Sequence, residues 1–298
     1  LFKRNSIYKS NVLLWEDTLK KAPGKLRALH NLSHFYLAEK KYEKAFITLH
    51  SLANSKASPH YISYAHSNLG SLYLQRGEYP KAEAEFKKGI KVQPSRPSNY
   101  LNLGTIYASQ GRYQKAKKAY ERAENLYKNY EWGDLASPEL YLNKAKLLLT
   151  LGLYQEAGIS ANHYIKRVPA PGKAHYILGQ IYAAMGKHTD ALREYSLSGN
   201  DPKLSAQAHN NKALILIQQD LLNSALEELN QAVIIYPNLL DAHYNLGNLL
   251  IQTNGDPSMA RRHFEIALKL TTNLEVQERI KAAMDNLEGD FQGSTVEE

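Results

Sequence analysis

The segment Ser67-Asn-Leu-Gly-Ser-Leu-Tyr73 returns 34 residues later as Leu101-Asn-Leu-Gly-Thr-Ile-Tyr107, and again as Tyr244-Asn-Leu-Gly-Asn-Leu-Leu250. A chain that repeats itself at this period stacks copies of one supersecondary element, each burying a face on the next, and has no single closed core. Within the repeats the apolar residues stand four apart, as in Leu32 and Tyr36, Leu69 and Tyr73, Leu103 and Tyr107, and Leu178 and Tyr182. That spacing marks one face of an amphipathic helix. Gly77, Gly111, Gly152 and Gly186 fall where a helix would end in the left-handed conformation. Pro94, Pro169 and Pro237 close their repeats.

Seven repeats can be laid out, at 26–59, 63–96, 97–130, 138–171, 172–205, 206–239 and 240–274, each of two helices. Residues 60–62 and 131–137 read as extra residues between them. Ala45, Ala82, Ala116, Ala157, Ala191, Ala225 and Ala260 hold one place early in the second helix. Ser33, Gly70, Gly104, Ala145, Gly179, Ala213 and Gly247 hold a small place in the first. Small side chains let helix axes approach, so the two helices are expected to meet through paired small residues. Lys144 and Lys212 replace an expected Leu; they read as snorkelling side chains or as marks of a slightly rotated helix. Residues 1–25 form a half repeat, with a lone second helix from Lys9 to Lys20, Trp15 at the aromatic place and Pro23 at the exit. Residues 275–288 form a capping helix, and 289–298 a disordered tail.

The order Leu-Gly-x-x-Tyr, Gly-x-Tyr-x-x-Ala, aromatic, Ala, Pro resembles the tetratricopeptide repeat. The resemblance implies an all-α fold, a right-handed α-α superhelical solenoid of helix-turn-helix repeats. It also implies a concave groove lined by the first helices. The place before Leu-Gly, which faces that groove in the family, holds Asn31, Asn68, Asn102, Asn143, Ile177, Asn211 and Asn245. Asn is a mediocre helix former, so propensity does not explain its recurrence. Its amide both donates and accepts, so a row of Asn can grip an extended backbone whatever the side chains. The pattern resembles the asparagine ladder of the O-linked N-acetylglucosamine transferases. The other reading has each amide capping local backbone or facing water. His34, Lys146, Gln180 and Asn248 complete the candidate groove, and Tyr176 and Tyr244 offer it flat apolar contact.

Other chemistry finds little footing. There is no Cys, which excludes disulfides and thiolate metal sites. His30 and His34 have metal-ligand spacing but lack a third ligand, and read as surface or groove residues. His66, His175, His209 and His243 share one place in their repeats and read as packing residues with a polar edge. No phosphate loop, metalloprotease or nucleophile-elbow motif occurs, and Glu227-Glu228 reads as a solvated pair. The expectation is a non-enzymatic scaffold that binds a protein or extended peptide, with no metal, cofactor or nucleic acid. No apolar run approaches the roughly 18 residues of a membrane span. The net charge of +8 is divided unevenly: residues 1–130 carry 23 Lys and Arg against 9 Asp and Glu, and residues 131–298 carry 14 against 20. The basic half reads either as solvated helix faces or as a surface for anionic lipid or an acidic partner.

The opening stretch from Arg4 to Pro23, with Leu-Trp-Glu-Asp-Thr at its centre, resembles the junction in some bacterial polytopic membrane proteins. There a multi-spanning, often glycosyltransferase-like region passes into an extracytoplasmic repeat tail. This implies a periplasmic location, a membrane attachment through upstream segments, and an alternative role as the substrate-presenting tail of a membrane glycosyltransferase. Lys3, Arg4 and Lys9 argue for the cytoplasmic side instead. Self-association, with one copy's terminal helix on another's array, is a third reading.

Overall fold

The computed structural model describes residues 11–129, 137–199 and 201–293. Residues 1–10, 130–136, 200 and 294–298, including part of the expected N-terminal half repeat and of the tail, lie outside the described residues. Sixteen helices are present among the described residues. The first is α1 (Asn11–Lys21). Pairs follow: α2 (Leu26–Ala38) with α3 (Tyr42–Ala53), α4 (Pro59–Gln75) with α5 (Tyr79–Val92), and α6 (Pro97–Ser109) with α7 (Tyr113–Asn129). Then come α8 (Pro138–Thr150) with α9 (Tyr154–Ile165), α10 (Gly172–Ala184) with α11 (His188–Ser196), α12 (Pro202–Gln218) with α13 (Leu222–Ile235), and α14 (Leu240–Gln252) with α15 (Pro257–Lys269). The last is α16 (Leu274–Gly293). The chain divides into two compact lobes, Leu1–Leu147 and Leu148–Glu298.

Helix starts and stops follow local chemistry. Gly77, Gly111, Gly152 and Gly186 end the first helices at φ between 70° and 73°, and Lys40, Asp220 and Asn254 take the same left-handed place in the remaining repeats. Two first helices begin a turn earlier than the repeat alignment suggests. Proline suits the first turn, where a backbone N–H has no partner to lose. Pro59 therefore starts α4, which takes in residues 60–62, and Pro202 starts α12, with Asp201 accepting from the Leu204 backbone N–H at 2.8 Å. The helix α16 runs on to Gly293, past the expected end at 288.

The seven anchor alanines are all fully buried. What faces the small place of the first helix is an aromatic ring, and not another small residue. A Cβ added to Gly70 or Gly247 would meet the ring of Phe86 or Phe264 at 2.7 Å; at Gly104 or Gly179 it would meet Tyr120 or Tyr195 at 2.5 Å. In the other three repeats Ser33, Ala145 and Ala213 take the small place, and Leu49, Ala161 and Leu229 take the place of the ring. Ring and missing Cβ therefore go together, as close packing requires. In the first lobe Leu32, Leu49, Leu52 and Leu69 join one core; in the second, Leu229, Leu246 and Leu249 join another. Phe264, Ala267 and Ile280 seal the last repeat against α16.

Candidate functional site

The Asn residues lie half-buried on the first helices, between the core face and solvent. Their amide nitrogens are engaged. Asn68 Nδ2 donates to the Tyr64 carbonyl one turn back, at 2.9 Å. Three others reach the preceding first helix. Asn143 Nδ2 donates to Thr105 Oγ1 at 3.3 Å, and the Thr105 hydroxyl donates in turn to the Leu101 carbonyl at 3.1 Å. Asn245 Nδ2 donates to Asn210 Oδ1 at 2.8 Å, Asn210 Nδ2 to Asn211 Oδ1 at 3.3 Å, and Asn211 Nδ2 to Tyr176 Oη at 3.1 Å. A relay of amides thus stitches α14, α12 and α10 in the second lobe. For Asn68 and Asn143 these directions fix which amide atom is nitrogen, because a carbonyl or an already donating hydroxyl must accept.

The other amide atom is what a ligand would meet. Among the described residues, Oδ1 of Asn68, Asn143 and Asn245 accepts no bond, and Asn102 makes none at all. Asn31 is occupied locally, its Oδ1 3.1 Å from His30 Nδ1. Ile177, where the Asn pattern breaks, is buried at 2% exposure. Of the remaining candidates, His34 and Lys146 are exposed, and Gln180 and Asn248 half-buried. Tyr176 is committed to the relay, its ring centroid 5.7 Å from that of Tyr195. Tyr244 lies between Phe264 and the Arg279 guanidinium, 4.8 Å from its ring centre. These two rings hold repeats together and present less free surface than the sequence suggests.

The sequence reading missed a second constellation. His66 Nδ1 lies 2.7 Å from Glu85 Oε2, His175 Nδ1 2.8 Å from Glu194 Oε2, and His209 Nδ1 pairs with Glu228. Each pair clasps the two helices of one repeat, 19 residues apart. In the last repeat, whose turn is longer, His243 Nδ1 lies 2.9 Å from His263 Nδ1, and His243 Nε2–H donates to the Pro237 carbonyl at 2.9 Å. Repeats with Leu29, Tyr100 or Tyr141 at the His place carry Thr48, Ala119 or Ser160 at the Glu place. The signal was in the sequence as a fixed His-to-Glu spacing. Lys212 joins Glu228, and Lys144 reaches Glu124 on α7 at 2.6 Å. Both lysines are largely covered and ion-paired, so neither snorkels to solvent. Burial pushes the carboxyls of Glu85, Glu124 and Glu228 up, but the bonds from His and Lys outweigh it and hold all three below the usual carboxylate range.

No group of three or more metal-ligating side chains occurs among the described residues. No described helix is long and apolar enough to cross a membrane.

Paired helices, buried alanine anchors and a glycine-on-ring contact in four repeats define an all-α repeat solenoid. Two family models, both described as Tetratricopeptide repeat, match residues 61–129, and 142–203 with 178–239. The chain belongs to the tetratricopeptide repeat family. It is similar to Protein O-mannosyl-transferase TMTC1 of Mus musculus, 32% identical over 225 residues that cover 74% of this chain and 23% of that protein. The human TMTC1 is 27% identical over 225 residues, 74% of this chain and 24% of that protein. Anaphase-promoting complex subunit 3 of Schizosaccharomyces pombe is 25% identical over 209 residues, 69% of this chain and 29% of its own. The chain thus spans between 23% and 29% of the length of these curated relatives. Among solved structures, a tetratricopeptide repeat protein from Parabacteroides merdae superposes with a TM-score of 0.64 at 14% identity, covering 88% of this chain and 98% of that one. The APC/C hetero-tetramer Cut9-Hcn1 gives 0.59 at 17% identity, covering 95% and 58%. At these identities the structural likeness speaks to the fold alone.

Proposed function

We propose that the chain is a scaffold holding a polypeptide segment of a partner against its first helices. The observation that carries this reading is the one-sided state of Asn68 and Asn143, with Asn102 beside them. In the first two the nitrogen is tied inward and the oxygen is left to accept. Such an acceptor row suits the N–H groups of an extended backbone and asks little of the bound side chains. Structural neighbours named for a peptide-binding site or an assembly subunit carry the same repeat, which supports the class of ligand.

The test is selection of short peptides from a random library on the isolated chain, followed by affinity measurement on Asn68→Ala/Asn102→Ala/Asn143→Ala. Each lost bond removes about 1 kcal/mol, so the triple variant should bind the selected peptides at least ten times more weakly (about 1.4 kcal/mol per decade) while keeping its helical content. Unchanged affinity refutes the groove reading.

A second reading is favoured by the similarity to Protein O-mannosyl-transferase TMTC1 across 74% of this chain. On it, the repeats present a substrate to a membrane-bound glycosyltransferase whose catalytic segments lie outside this sequence. Mannosyl transfer by the intact protein, compared with a form lacking residues 26–274, separates the two readings. Equal transfer to protein acceptors by both forms removes the second.

A further inference from the structure

The first three full repeats carry no acid on their first helices, α2, α4 and α6. No Asp or Glu occurs from Thr18 to Ala38, from Lys44 to Gly77, or from Phe86 to Tyr120. Each stretch takes in the link from a second helix to the next first helix and the whole of α2, α4 or α6. The acids between Glu16 and Glu124 all sit in ion pairs among the described residues except Glu121. Several of those pairs lie at the opposite, turn edge, where Glu43 takes Arg76, Glu78 takes Lys81 and Glu83 takes Arg112.

At the inter-repeat edge, Lys25, Arg27, Lys56, Lys91 and Arg96 have no carboxylate partner among the described residues. Lys25 and Arg96 are the N-caps of α2 and α6. A helix N-terminus disfavours cations, so helix stability does not account for them. In the second lobe Asp201 caps α12 and Asp241 stands in the first turn of α14. Successive links of this edge touch. Arg96 Nη1 approaches the His60 carbonyl at 3.5 Å and Arg96 Nε donates to Ser98 Oγ at 3.3 Å, which leaves Nη2 without a bond among the described residues.

We propose that this edge, from α2 to α6, binds an acidic segment of a partner protein, its carboxylates met by Lys25, Arg27, Lys56, Lys91 and Arg96. The inference rests on reading the chain as a polypeptide-binding scaffold and names the class of polypeptide. Nucleic acid fits less well. The rings here already face one another or a guanidinium: His30 lies 4.4 Å from Tyr64 and 4.9 Å from Tyr61, Arg96 covers Tyr64, and Arg122 covers Tyr100. Bases would find no open ring to stack on. A membrane surface fits less well too, because Tyr42, Tyr79 and Tyr113 open second helices at the opposite edge and the other exposed large apolar residues of this lobe, Leu13 and Ile47, lie within α1 and α3.

The test is fluorescence anisotropy of a labelled oligoglutamate peptide on the full chain at physiological salt. Two variants with matched charge change are compared. Lys25→Glu/Lys56→Glu/Lys91→Glu alters exposed residues of the proposed edge; Lys40→Glu/Lys115→Glu/Lys118→Glu alters exposed residues elsewhere on the same lobe. The first should weaken binding about tenfold or more, and the second by less than about twofold, since rim charges act locally at a Debye length of about 8 Å. Equal losses, or no loss from the first, overturn the proposal. So does binding of oligothymidylate or phosphatidylserine vesicles as tight as that of oligoglutamate. The groove reading fails separately: it falls if Asn68→Ala/Asn102→Ala/Asn143→Ala keeps its library-selected peptides, whatever the two charge variants do.

Discussion

Gly104 lies so close to Tyr120 that a Cβ on it would come within 2.5 Å of the ring. The ring is almost fully buried, and burial pushes its phenol pKa up. Gly104→Ala should therefore cost about 1–3 kcal/mol by overpacking, read as a lower thermal midpoint by circular dichroism. Adding Tyr120→Leu, the residue type that faces Ser33 and Ala213 in their repeats, should recover part of the loss. A double variant no better than the single would show that the ring is not what the Cβ meets.

His66 and Glu85 form a clasp with side-chain exposures of 13% and 8%. His66→Leu takes one of two partners from a covered carboxylate, leaving only Lys88, and should cost about 1–3 kcal/mol. The pair His66→Leu/Glu85→Thr, which copies Leu29 and Thr48, should be more stable than the single variant. A double-mutant cycle in chemical denaturation measures the coupling; additive losses would count against a clasp.

Acid should loosen the chain in two stages. Burial, with the charges of His243 and Arg262 added at His263, holds both histidines of the last repeat below their ordinary 6.5. The unfolded chain then takes up protons first, so their contribution is complete above pH 6.5 and is lost as pH falls below it. Hydrogen exchange in α14 to α16 should accelerate there, and so should that at the start of α4, where burial and the charges of Arg96 and His30 hold His60 below 6.5 as well. Further down, burial raises the Glu83 carboxyl, but Lys87, Arg112 and Tyr107 bond it and hold it at about 2. Its contribution stands above the ordinary 4.5 and is lost between there and about 2. His263→Gln should flatten the first stage and leave the second.

Asn245→Ala removes the first donor of the relay through Asn210 and Asn211 to Tyr176 and should lower stability by about 0.5–1.5 kcal/mol. Asn102→Ala removes no bond among the described residues and should leave the thermal midpoint nearly unchanged. Similar losses from both would mean that the two amides do the same work in the fold.

The parts of this molecule that were readable beforehand are those with a period. Alanine anchors, left-handed glycines and the small place at Gly70 or Gly179 recur at fixed offsets, and close packing leaves few alternatives to them. The facing ring was harder, because it becomes meaningful only when Gly104 and Tyr120 are compared with Ser33 and Leu49. The starts at Pro59 and Pro202 were misplaced because strict alignment outweighed the preference of proline for a first helical turn. The donors of Asn143, Asn211 and Asn245 were not readable at all. Their partners lie 35 to 38 residues upstream, and nothing local announces them. The cations at Lys25, Lys56 and Arg96 were visible as a bulk charge, but their lack of partners needed the fold.

The glycine-on-ring and His-Glu pairs join residues of the same repeat, whereas the amide relay joins residues of different repeats. These two kinds of contact set different rules for inheritance. A duplicated or transplanted repeat brings Gly104 and Tyr120, or His66 and Glu85, along together and arrives already matched. The amide stitches must be made anew at each junction, so any shuffling of repeats in the ancestry of this chain should have left its traces at residues such as Thr105, Tyr176 and Asn210, not in the repeat interiors.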